Sequence, residues 1–141
     1  MSADLFFLDT NIFVYTLDGG SQEKNDRARE LVRKAIDSRK GVVSYQVVQE
    51  FFNVAFRKFK VPMRAEEAEQ FLATVFRPLL AVQSSIALYH EAILVFRSHK
   101  LSWYDSLIVA SALKSHCKIL YSEDLQDGQV IGNLKIVNPF R

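Results

Sequence analysis

Apolar residues run along this chain in two rhythms. Short unbroken runs, "LFFL" (5–8), "GVVS" (41–44), "LLAV" (79–82), "KILY" (118–121) and "KIVN" (135–138), have the length and composition of buried strands. Between them, apolar positions recur every three or four residues. Ala28, Leu31, Val32, Ala35 and Ile36 follow the i, i+3, i+4, i+7, i+8 spacing of an amphipathic helix, which Ser21 caps after the turn "LDGGSQE". A second helix is predicted from about Gln46 to Phe59, with Pro62 just past its end. A third over 65–76 sets Ala68, Phe71, Leu72, Val75 and Phe76 on one side, and Pro78 stops it. "SSIALYHEAILVFRSH" is a fourth, with Ile86, Tyr89, Ile93 and Phe96 on one face. Ser102 opens the last, which reaches about Ser115.

Strands that alternate with helices make a mostly parallel sheet covered on both faces. The expected fold is α/β, a three-layer α/β/α sandwich of Rossmann-like type, and 141 residues fit one domain over 1–141. The sequence has no internal repeat, low-complexity tract or Pro/Gly/Ser-rich linker to divide it.

Composition narrows the class. Hydrophobic residues at 49% and charged residues at 24% suit a globular core that needs no disulfide or structural metal. Cys117 is the single cysteine, so no intrachain disulfide can form, as expected in a reducing compartment. No apolar run approaches the ~20 residues of a membrane helix. "MSADLFFLD" lacks the pattern of a secretion signal, and the expected location is the cytoplasm. A net charge of +2 is too small to argue for nucleic acid. Locally, "RKFKVPMR" carries Arg57, Lys58, Lys60 and Arg64 with no acid, a solvated face or a set of phosphate contacts. Eleven Phe exceed what a core of this size usually holds, which points to a subunit interface and a homodimer.

The acids stand out against this background. In open parallel sheets, ligands bind at the carboxyl ends of strands. Asp9 directly follows the first strand, and Asp124 follows "KILY" in "YSEDLQDG". A carboxylate beside so much apolar surface must be hydrogen-bonded, paired or bound to a cation. Asp9 reads either as a helix cap or as a metal ligand. Asp105 lies in the first turn of its helix, in line with Ile108, Val109, Ala112 and Leu113, so it faces inward. "SWYD" also reads as a capping box, which explains an acid there but not an inward one. Glu50 lies at the border of an apolar face centred on Phe51, Phe52, Ala55 and Phe59. Other chemistries lack support: His90, His99 and His116 have no zinc-like spacing with Cys117, and no glycine-rich phosphate loop is present.

Asp9 in "LDTNIFVY", Glu50 in "VVQEFFN", Asp105 in "WYDSLIVASAL" and Asp124 in "LYSED" resemble the four acids of PIN-domain nucleases, in that family's order. The resemblance runs from residue 5 to the C-terminus and is closest to the VapC kind of toxin. It implies metal-dependent RNA cleavage, homodimers and a cognate antitoxin that blocks the groove. Within it, Asn11 resembles the polar partner that steadies the site, and Ser122 the hydroxyl before the fourth acid. The family's more usual Thr-x-Asp reads Ser122-Glu123-Asp124 here, so Glu123 and Asp127 are alternative fourth ligands.

Four carboxylates suit Mg²⁺ or Mn²⁺, hard cations that take oxygen ligands and keep bound water. Two carboxylates ~5 Å apart repel by about 3 kcal/mol at an effective dielectric near 20, so four would not all stay ionised without a cation. The expected activity is metal-dependent hydrolysis of RNA phosphodiesters. Two alternatives are a PIN-like module that binds RNA or protein without cutting, and a receiver-type phosphoacceptor. The receiver needs paired acids after strand one and a late lysine, whereas Asp9 is followed by Thr10-Asn11 and no lysine follows "KILY".

Overall fold

The computed structural model describes residues 4–141, so residues 1–3 of the segment read for targeting lie outside it. The strands are β1 (Phe6–Leu8), β2 (Gly41–Ser44), β3 (Leu80–Val82), β4 (Ile119–Tyr121), β5 (Val130–Ile131) and β6 (Leu134–Val137). The helices are α1 (Thr10–Tyr15), α2 (Gln22–Ser38), α3 (Tyr45–Arg57), α4 (Ala65–Phe71), α5 (Ile86–Ser98) and α6 (Trp103–Lys114). The strands form one sheet in the order β3-β2-β1-β4-β6-β5, parallel throughout except for β5, which runs antiparallel to β6 at the edge. Phe6 pairs with both Gly41 and Ile119. Helices flank this sheet, as the alternating pattern predicts.

Strands β1 and β2 are buried along their whole length, which is why they read as continuous apolar runs. Helix α2 buries Ala28, Leu31, Val32 and Ala35, the predicted stripe, and Ser21 caps it by accepting from the Lys24 amide. Helix α6 is buried from Ser106 to Ala112, so it forms part of the core. Among the described residues, no helix is long and apolar enough to cross a membrane.

Three expectations change. The helix over 65–76 is α-helical only to Phe71 and continues as a π-helical turn over Leu72–Phe76. The wider turn accompanies the seating of Phe76 against Phe13, Phe51 and Phe52, at ring-centroid distances of 5.0, 5.3 and 5.7 Å. The face Ile86, Tyr89, Ile93 and Phe96 of α5 points largely outward: Ile86 is 85% exposed, Ile93 54% and Phe96 49%. Leu88, Ala92 and Val95 form the buried stripe instead, and α5 packs on α6. Both stripes are apolar, so periodicity alone could not choose between them. Strand β5 was not expected at all. Its two residues are too short a run to read, and Gly132 turns the chain into β6 at φ 59°.

The phenylalanines are spent mostly inside. Only Phe56 and Phe96 of the eleven are exposed. The other nine lie in the core or pack against it, and Phe96 belongs to the outward apolar face of α5.

Helix α2 approaches the start of β2 closely. A Cβ placed on Gly41 would lie 2.3 Å from the Ala35 Cβ. Gly41→Ala is expected to destabilise the protein by about 1–3 kcal/mol, the usual cost of overpacking, as read by urea denaturation. An unchanged midpoint would show that α2 can move aside freely.

Candidate active site

The chain adds β2 and β3 on one side of β1, then crosses to add β4 and β6 on the other. That reversal leaves a crevice at the carboxyl ends of β1 and β4, the place where open α/β sheets bind ligands. The Asp9 amide donates to the Tyr121 carbonyl at 3.0 Å and ties the two strand ends together. Asp9 is then the N-cap of α1. It is only 7% exposed, and its Oδ1 accepts from the Thr10 amide at 2.7 Å. The buried Ser122 hydroxyl donates to Asp9 Oδ2 at 2.8 Å and accepts from the Asp124 amide at 3.2 Å.

Glu50 reaches the same place from α3, which begins directly after β2. Asp105 reaches it from the first turn of α6. Asp9, Glu50, Asp105 and Asp124 line one cleft of about 270 Å³, together with Thr10, Asn11, Gln46, Asn53 and Tyr104. Among the described residues, no Lys, Arg or His lines it. A roomier hollow of about 420 Å³ between α2 and the π-helical turn has one acid, Asp37, beside Arg29 and Arg33. It lacks any convergence of carboxylates.

Asp9 both caps α1 and faces the cleft. The Asp105 capping box is only half made. Ser102 accepts from the Asp105 amide at 3.1 Å, but among the described residues the Asp105 carboxylate makes no return bond. Asn11 contacts Asp124 and not Asp9, which stands two residues before it in sequence. Its Nδ2 donates to Asp124 at 3.2 Å, because the first turn of α1 directs it at the loop after β4 rather than back at Asp9. Glu123 and Asp127 lie outside the cleft lining. Glu123 is drawn away by Lys24 and by the Tyr15 hydroxyl, and Asp127 accepts from the Asn138 amide at 2.8 Å. Arg57, Lys58, Lys60 and Arg64 are exposed beyond the cleft end of α3, and Arg64 pairs with Glu67.

The sequence reading missed two polar supports. Thr10 donates to Glu50 Oε1 at 2.8 Å, and Gln46 Nε2 donates to Glu50 Oε2 at 3.3 Å and to the Tyr104 carbonyl at 3.2 Å. Gln46 precedes Glu50 by one helical turn, which was a legible signal. Thr10 was legible only as part of the polar interruption "DTN".

Burial pushes the Asp9 carboxyl up to about 6, despite the opposing bonds from Thr10 and Ser122, with Asp124 and Glu50 adding repulsion. Burial also raises Asp124, helped by the charges of Asp105, Glu123 and Glu50. These acids are thus short of positive charge, and neutral donors alone hold them. Among the described residues, no three His, Cys, Asp or Glu side chains close into a ready ligand set. The four carboxylates of the lining offer the oxygen ligands that a hard cation such as Mg²⁺ takes. The buried Gln46 Oε1, which has no partner, is a further oxygen in the lining. The donor chemistry fits a divalent cation.

The sequence profile of the PIN domain matches residues 6–126. No curated protein sequence matches the chain. Solved structures share its fold. One is a Mycobacterium tuberculosis toxin, VapC20, described as cleaving the sarcin–ricin loop. It aligns with a TM-score of 0.62 at 20% identity, over 84% of this chain and 89% of that one. FitAB bound to a DNA fragment gives 0.67 at 16%, over 97% and 96%. A toxin–antitoxin complex from Klebsiella pneumoniae gives 0.64 at 17%, over 94% and 96%.

The raised Asp9 carboxyl has a consequence for stability. The folded protein holds this proton more tightly than the unfolded chain, whose Asp9 titrates near 3.8. Its contribution is therefore fully present below pH 3.8 and is lost as pH rises through about 6. The loss is on the order of 3 kcal/mol. Asp9→Asn keeps the cap, and the Ser122 hydroxyl can turn from donor to acceptor. In chelator, the stability of the variant relative to wild type is expected to rise between pH 4 and 7, as read by urea denaturation at each pH. Parallel pH profiles would remove the desolvation account.

Proposed function

The chain belongs to the PIN-domain family, and from that premise we propose that it is a divalent-metal-dependent endoribonuclease, the toxin of a toxin–antitoxin pair. The observation that carries this reading is the cleft itself: four carboxylates from four separate elements, with no basic side chain in the lining. Asp9 and Asp105 would be the core ligands of Mg²⁺ or Mn²⁺, with Glu50 and Asp124 completing the site. When bound, such an ion supplies Lewis-acid polarisation of the scissile phosphate and acidifies a water.

The chain's own residues supply the rest. Ser122 fixes Asp9 and the loop carrying Asp124 together. Thr10 and Gln46 fix both oxygens of Glu50, and Asn11 fixes Asp124. These bonds aim the carboxylates without neutralising them, the arrangement that orients ligands in metal sites. Tyr104 is 64% exposed at the cleft and offers a ring face on which a base can stack. Four unneutralised acids repel an RNA phosphate, so cleavage should depend wholly on the cation. The proposed reaction is in-line attack of water on the phosphodiester. A P–O bond forms, the P–O3′ bond breaks with a proton passing to O3′, and 5′-phosphate and 3′-hydroxyl ends result. Arg57, Lys58, Lys60 and Arg64 would meet the RNA backbone beyond the cleft.

The toxin–antitoxin complex that shares this fold supports an antitoxin partner, and the PIN-family resemblance implies that this partner covers the cleft. The outward apolar face of α5 supports a homodimer. Sedimentation at micromolar concentration is expected to give twice the 16.2 kDa chain mass, and Phe96→Glu to give the monomer. A wild-type monomer would refute the dimer.

The decisive test is single-turnover cleavage of total cellular RNA in Mn²⁺. Asp9→Asn and Asp105→Asn are expected to stay folded by circular dichroism and to lose cleavage by orders of magnitude. Ser122→Ala should lose roughly 10- to 100-fold, the usual effect of removing a residue that orients a metal ligand. Wild-type rates in both Asn variants would remove these acids from the chemistry, and no cleavage by the wild type would favour a module that binds without cutting.

A further inference from the structure

A second hollow opens beside the acid cleft. Its volume is about 320 Å³, and it shares Asp105 and Asp124 with the cleft as a common wall. The link from α5 to α6 provides His99, Lys100 and Ser102, and the loop after β4 provides Gln126 and Gln129. Buried Leu125 and half-buried Leu101 complete the lining with apolar surface. Among the described residues, the side chains of His99, Lys100, Gln126 and Gln129 make no hydrogen bond or ion pair with the protein. Their donors and acceptors are uncommitted, in contrast to the acid cleft, where three of the four acids are already held.

The main chain beneath them is tied down. The Gln129 amide donates to the Gln126 carbonyl at 3.2 Å, and the Ile136 amide donates to the Gln129 carbonyl at 2.9 Å. The two glutamines thus stand on a fixed turn beside β6. Each presents an amide that can both donate to and accept from the edge of an unpaired base. Lys100 brings the positive charge that the acid cleft lacks, on the far side of Asp105 and Asp124. His99 adds a ring face for stacking. The volume lies at the lower end of small-ligand pockets, about 300–1,000 Å³. That is room for one nucleotide and not for a duplex.

We propose that this hollow is a nucleotide subsite next to the scissile phosphate, where Lys100 holds a phosphate and Gln126 and Gln129 read the base of a single-stranded RNA. The proposal rests on the nuclease reading of the adjoining cleft. It gives that nuclease a sequence preference at one position beside the cut, set by the glutamine pair. It also explains how an acidic cleft retains a polyanion, since the strand is held from the side.

The experiment uses the full chain with two variants, Lys100→Ala and the double variant Gln126→Ala/Gln129→Ala. Binding of a short fluorescein-labelled single-stranded RNA is followed by anisotropy in Ca²⁺ over a range of salt, with a gel showing that the RNA stays intact. Cleavage of a randomised single-stranded RNA in Mn²⁺ is sequenced in parallel. Lys100→Ala is expected to weaken binding several-fold and to reduce the salt slope by about 0.7, the value of one phosphate contact on a single strand. Lys100→Arg should restore both. The glutamine variant should raise KM and change the nucleotide found beside the cut, with the melting temperature unmoved. If the wild type cuts and both variants match it in KM, salt slope and flanking nucleotide, the subsite is refuted and the nuclease stands. If the wild type neither binds nor cuts, the nuclease reading fails and the subsite with it.

Discussion

A carboxylate at the mouth of a fully buried strand carries a heavy desolvation cost, and Asp9 bears it with two short hydrogen bonds. One comes from its neighbour Thr10, the other from Ser122, which lies 113 positions away in sequence. The second bond is possible only because β4 lies beside β1, the strand at which the chain reverses its direction of growth across the sheet. The placement of Asp124 follows from the same contact, since Ser122 also holds the Asp124 amide. The site is therefore a property of the topology and not of any local segment.

The cleft sets function against stability. Burial first, and then the neighbouring acids, lift the proton affinity of Asp9 and Asp124, yet the chain answers only with hydroxyl and amide donors and keeps its cations outside the lining. A lysine inside would neutralise these acids and would also fill the place proposed for a metal ion. Lys24 shows how the chain manages this. It neutralises Glu123, the acid next to Asp124, and with Tyr15 draws it out of the cleft. One of two adjacent acids is thereby silenced and the other left available.

Much of this arrangement was legible in the residues. The strands are short and buried on both faces, so each shows as an apolar run, and an acid at the end of one must lie at the sheet's carboxyl edge. Helical spacing put Asp105 in line with Ile108, and both line the cleft. The rest depends on contacts between distant segments. Nothing near Asn11 says that it will meet Asp124 rather than Asp9, and nothing near Glu123 announces Lys24. Helix α5 carried two apolar stripes, and only packing on α6 could choose the one with Ala92 at its centre. The π-helical turn was hidden because its apolar spacing resembles that of an ordinary helix.

Strand β5 was invisible in the sequence, and its brevity has its own meaning. It closes one border of the sheet with just two residues, and β3 closes the other with three. Long open borders invite another chain to add a strand and begin an aggregate, and very short ones give it little to grip. Copies of this protein that accumulate in a cell can hardly meet backbone to backbone. Contact between copies is left to side chains, such as those on the outward face of α5.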